Sequence, residues 1–245
     1  MFALYKKELS SFFSSLMGYL TIVVFLVLTG LMLWVFRSSF NLLDYGYAGI
    51  DGLFFVGPFL YLFLIPAITM RMLAEERRNG TMELLLTKPL SEFSIVWAKF
   101  LAGLTIVVVS LLPTLVYYFT VYSLGDPVGN IDTGGVIGSY LGLVFLGGAF
   151  VSIGLFASSL TNNQIVAFII GALLCAFLHL GFDAVFNMGF LGKVGLFIRN
   201  LGMAYHYSSI SRGVIDSRDV LYFLSVIALF IMATRLVLQS RNWKK

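Results

Sequence analysis

A chain of 245 residues that is 59% hydrophobic and 11% charged, with a mean hydropathy of +0.94, falls outside the ordinary soluble classes, in which about a quarter of residues carry charge. Sixteen Lys and Arg against twelve Asp and Glu give a net charge of +4 and a pI near 9.2, yet the basic residues gather at the edges of apolar runs, which points to a membrane surface and not to nucleic acid. The single cysteine, Cys175, lies inside an apolar run and excludes an intramolecular disulfide.

The expected fold is all-α, a polytopic membrane protein with six transmembrane helices in one domain spanning residues 1–245, because spans of about 20 residues leave room only for short connections. Residues 1–16 place Phe2, Tyr5, Leu9, Phe12 and Phe13 at helical spacing, with Lys6, Lys7 and Ser10 elsewhere around the wheel. This predicts an interfacial amphipathic helix, the alternative being a simple extension of the first span. Residues 17–36 carry no charge and form the expected first span, retained in the membrane and not cleaved as a signal. The second span covers residues 53–73 and holds Pro58 and Pro66, either of which can kink it.

Residues 71–100 then carry five of the sixteen basic residues and four of the twelve acids. The segment 75–92 begins with Glu75, Glu76, Arg77 and Arg78. Asn79 and Gly80 interrupt the run, Thr81 can cap a new helix, Glu83 suits its positive end, and Pro89 closes it after about two turns. Leu84, Leu85 and Leu86 give that short helix an apolar side, so it reads as an extramembrane helix built to dock. Ser91 can cap the third span, residues 95–122, where Lys99 is expected to snorkel at the inner end and Pro113 interrupts the run.

A Gly- and Asp-containing turn at 125–134 leads to the fourth span, residues 135–160. There Gly138, Gly142, Gly147, Gly148, Ala149, Ser152 and Gly154 predict tight helix packing, either within the chain or between two copies of it. The fifth span, residues 165–182, ends near His179 and Asp183, whose four-residue spacing predicts a shared face. That pair reads as a hydrogen-bonded polar pair in preference to half a metal site, which needs three or four ligands. Five glycines break residues 183–219 into short surface helices, and residues 220–238 form the sixth span. Counting Lys and Arg by side gives eleven with the termini and segment 75–92 and five opposite, which predicts cytoplasmic termini.

No P-loop and no H-E-x-x-H sequence occurs, and no nucleophile and base stand at a recognisable spacing, so no catalytic, cofactor or metal residues are assigned and no enzyme is expected. No acid lies near the middle of a predicted span, which argues against a transporter driven by its own ion gradient. The remaining reading is a permease moved by another protein.

The run Glu76, Gly80, Thr81, Glu83, Leu85, Leu86, Pro89, Leu90, written ExxxGTxExLLxxPL, resembles the cytoplasmic coupling helix of ABC-2 type ABC transporter permeases. The wider layout is also similar to that family, with an amino-terminal elbow helix and re-entrant short outer helices before span 6. More narrowly, MRMLAEERRNGTMELLLTKPLSEFSIVWAKF and SRGVIDSRDVLYF resemble permease subunits of gliding-motility transporters. The resemblance implies a bacterial inner-membrane complex: an ABC ATPase gripping segment 75–92 from the cytoplasm, a second permease copy or a related permease, and an accessory membrane protein. The alternative is a non-transporting scaffold or signalling partner of an ABC ATPase.

Overall fold

The computed structural model describes residues 1–44, 46–82, 91–188, 192–213 and 216–240, and among them every regular element is helical. Helix α1, Phe2–Phe13, is separated from α2, Leu16–Gly30, by a break at Ser14 and Ser15. The Ser15 hydroxyl accepts the Gly18 N–H at 3.3 Å, satisfying one of the free donors at the start of α2. Gly18 is needed there: a Cβ would stand 2.8 Å from the Phe12 ring and closer still to the Phe12 carbonyl. The chain therefore folds back between the two helices, and α1 is not an extension of the first span. A π turn, Leu31–Val35, continues α2.

Helix α3 runs unbroken through Asp51–Arg78, with Pro58 and Pro66 inside it. At 28 residues it is about 42 Å long, more than the roughly 30 Å hydrocarbon layer, so an end stands clear of lipid. Glu75, Glu76, Arg77 and Arg78, expected in a separate polar segment, instead form its last turn, because nothing between Pro66 and Asn79 breaks a helix and Arg71 pairs with Glu75 one turn on at 3.0 Å. The stop comes at Gly80, whose φ of +69° favours glycine. Residues 81 and 82 are already helical, and the Thr81 hydroxyl donates back to the Glu76 carbonyl at 3.3 Å.

Ser91 caps α4, Glu92–Leu111, by accepting the Ser94 N–H at 3.2 Å. Pro113 has no N–H to give, and the helix narrows to a 3-10 turn at Leu112–Thr114 before resuming as α5, Leu115–Leu124. Helix α6, Thr133–Leu160, is followed by α7, Gln164–Ala176, a π turn at Phe177–Gly181, and α8, Phe182–Asn187. Short helices α9, Gly192–Arg199, and α10, Met203–Ile210, precede α11, Ser217–Gln239. Six of these stretches are long and apolar enough to cross a membrane.

Helix α6 is the axis of the bundle. Its span is 78% buried, against 22% for the spans built on α7 and α11. Small side chains make this possible. Gly154 lets Thr69 of α3 approach so closely that any Cβ would overlap its hydroxyl. Gly138 faces the backbone of Ile210 and Gly213, and Gly142 faces the side chains of Ile210 and Tyr207. The faces of Gly138 and Gly142 are thus filled within one chain and are not offered to a second copy.

Candidate functional site

The charged end of α3 is knotted to two other helices. Lys99 on α4 is fully buried, with its Nζ 3.0 Å from Glu8 Oε1 on α1 and 3.0 Å from Glu76 Oε1 on α3. It also donates to the Met72 carbonyl at 2.7 Å, so the three protons of the ammonium each have an acceptor. Lys7 stands 3.5 Å from Glu76 at the outer edge. Lys99 does not snorkel, because its counter-charges come to it: α1 and α3 bring carboxylates to the depth of the lysine. Such a cluster adds little net stability over apolar packing, but removing one partner leaves an uncompensated charge out of water.

One turn deeper, Ser158 of α6 joins α3 through its backbone. Its hydroxyl donates to the Met70 carbonyl at 3.0 Å and accepts the N–H groups of Ala74 at 3.0 Å and Leu73 at 3.1 Å. Met70 C=O and Ala74 N–H are partners within the helical ladder, so the serine shares the polar groups of one α3 turn from the side.

The structure brings only part of the predicted segment to this place. The Glu76 carboxylate turns inward to Lys99, with 14% of its side chain exposed, and does not stand on an open rim. Glu75 holds Arg71, Arg77 is half-buried, and Arg78, Gly80 and Thr81 are exposed. Glu83, Leu84, Leu85, Leu86 and Pro89 lie outside the described residues. Beside the knot, a cavity of about 250 Å³ between α1, α2 and α3 is bordered by Lys7, Ser11, Arg71 and Asn79.

Glu8, Lys99 and Ser158 were not among the predicted site residues. Glu8 carried a signal: it stands one turn after Leu4 and one turn before Phe12, a carboxylate on the apolar side of an amphipathic helix. Ser158 carried none, since a serine in a small-residue span reads as packing.

The opposite end of α3 is held differently. The Tyr207 hydroxyl of α10 donates to the Phe54 carbonyl at 2.7 Å, and burial pushes the phenol well above its usual range, so it stays a neutral donor. His206 Nδ1 lies 2.6 Å from Asp219 Oδ1 and its Nε2 2.8 Å from the Asn200 carbonyl, while its ring stacks on Tyr222 with centroids 3.9 Å apart. Asp183 pairs with Arg199 at 3.2 Å and not with His179. No cluster of three or more His, Cys, Asp or Glu able to hold a metal ion occurs among the described residues.

Among the described residues these arrangements bring no nucleophile and base together. At the charged end three helices share one buried charge. Comparison with known families gives a match over residues 2–190 to the family described as ABC-2 family transporter protein. No curated protein matches the chain.

Proposed function

The chain belongs to the ABC-2 family of transporter membrane proteins, and on that premise we propose that it is the permease subunit of a bacterial inner-membrane transporter driven by a separate ATPase. In this reading the ATPase docks on segment 75–92 from the cytoplasm, both termini lie on that side, and a second permease completes the path. The likeness of residues 70–100 and 211–223 to gliding-motility permeases supports an assembly of that type, with an accessory membrane protein. The excess of basic residues at the termini and at segment 75–92 supports the orientation.

The observation that carries the reading is the buried Lys99 bridging Glu8 and Glu76. A push on the segment after Gly80 reaches α3 through its last turn, where Glu76 sits. Parting Glu76 from Lys99 would strand both charges away from water, so α1, α3 and α4 are obliged to move together. One turn deeper, the Ser158 hydroxyl ties α3 to α6 through the Met70 carbonyl and the Leu73 and Ala74 N–H groups, so a displacement of α3 is passed to α6.

The test uses the permease co-expressed with its ATPase. Gly80→Val, which forces a branched residue into φ +69°, and Glu83→Arg should each leave membrane insertion intact while lowering retained ATPase or uncoupling hydrolysis from transport. Wild-type ATPase stoichiometry together with unaltered transport in both variants would sink the docking reading. Hydrolysis that responds to the permease with no transported substrate would favour the scaffold.

A further inference from the structure

At the Asp51 end of α3 lies a second, half-open cavity, of about 590 Å³, bordered by α3, the π turn after α7, α10 and the loop before α3. This is the size of a pocket for a drug-sized molecule. Its wall is aromatic, built from Phe40, Phe54, Phe55 and Phe59 with Pro58 and Leu180. Phe55, Phe59 and Leu180 are also exposed on the flank of the bundle, so the apolar wall continues onto the surface that meets lipid. The rim is polar, with Arg212, Ser208, Ser211 and Asp51. Asp51 occupies the first turn of α3, where the helix dipole already balances its charge. Among the described residues the Arg212 guanidinium holds the Ser208 carbonyl through Nε, at 3.0 Å, and its terminal nitrogens form a fork suited to a carboxylate or phosphate.

His179 also lines the cavity, but its Nδ1, without a hydrogen-bond partner among the described residues, is turned into the surrounding packing, so the polar contact the cavity offers is the Arg212 fork at its rim. An ion or a wholly polar solute would leave the phenylalanine wall unfilled, and a pure hydrocarbon would leave Arg212 unanswered.

We infer that this cavity binds an amphiphile, its apolar body among the phenylalanines and its anionic head at Arg212. That the amphiphile is cargo rests on the permease reading; the binding does not. The head could belong to a bilayer phospholipid or to a dissolved fatty-acid-like molecule, and the shared chemistry is an anion on an apolar chain.

The purified full-length chain in nanodiscs, without ATPase, is titrated with 11-(dansylamino)undecanoic acid and, in parallel, with its methyl ester. The acid should bind saturably at one site per chain. Arg212→Gln, at an exposed position, should weaken the acid by about tenfold, the worth of one charge-assisted hydrogen bond, and leave the ester unchanged. Ala204→Phe, which fills the cavity from its lining, should remove both. Suppression of binding by phosphatidylglycerol nanodiscs relative to phosphatidylcholine ones supports a bilayer lipid as the occupant, and equal binding in both supports a dissolved amphiphile. Non-saturating uptake that Ala204→Phe leaves untouched, or equal affinity in wild type and both variants, overturns the site. Since no ATPase is present, that failure would leave the permease reading standing.

Discussion

At the Glu76 end of α3 the links to other helices are ionic, with a lysine shared by two carboxylates, and beside it a serine hydroxyl holds the backbone of α3. At the Asp51 end α3 is held by a neutral hydrogen bond, from Tyr207 to the Phe54 carbonyl, beside a phenylalanine-walled cavity. One helix therefore carries a joint whose parts cannot separate without stranding charge, and a pocket whose walls can move past one another at the cost of dispersion contacts and one neutral hydrogen bond. Under the proposed function the contrast suits a lever: stiff where an ATPase would push, adaptable where a molecule would be received.

The largest test of the contrast removes the shared charge. Lys99→Met should lower the stability of the detergent-solubilised protein by about 3–5 kcal/mol, read as a fall in melting temperature, because Glu8 and Glu76 are left facing each other partly out of water. Adding Glu8→Gln and Glu76→Gln to Lys99→Met should restore most of the loss. No restoration would mean that the lysine matters for packing and not for charge.

An intermediate effect is expected at the other end. Gly138→Ala puts a methyl group 2.9 Å from the Gly213 Cα and 3.0 Å from the Ile210 carbonyl, which are backbone atoms without rotamers to spare. Overpacking of this kind should cost about 1–3 kcal/mol and loosen the turn after α10. Limited proteolysis between residues 207 and 217 reports it; an unchanged cleavage rate would show that this end is softer than its packing suggests.

The smallest effect on stability should come from Ser158→Ala, on the order of 1 kcal/mol, since the backbone groups of Met70, Leu73 and Ala74 stay inside a helix that can satisfy them. Its signature is elsewhere. With the tie between α3 and α6 gone, hydrogen exchange over residues 70–78 should quicken and ATP-driven transport should fall. Unchanged exchange would show that the serine does not couple the two helices.

The long apolar runs made the all-helical, six-span fold legible, and the Asn79–Gly80 step marked a positive-φ stop. The knot was harder to see. Glu8 and Lys99 are 91 residues apart, and a lone lysine near the end of an apolar run looks the same whether it reaches for water or for a buried carboxylate. The spacing of His179 and Asp183 did not announce Arg199, sixteen residues on, as the ion-pair partner of Asp183. The cavity beside His179 could not be read at all, because its walls come from four parts of the chain that only tertiary packing assembles.

The Lys99 cluster also bears on how the protein is made. Both carboxylates precede the lysine in the chain, so synthesis from the amino terminus delivers Glu8 and Glu76 to the membrane edge before Lys99 emerges. The ammonium can then leave water directly into a waiting acceptor set, without a period as a lone cation in the third span. A chain lacking the first thirteen residues would present that span to the insertion machinery with half of its counter-charge missing. The defect should appear as slow or incomplete integration during translation, before any question of transport arises.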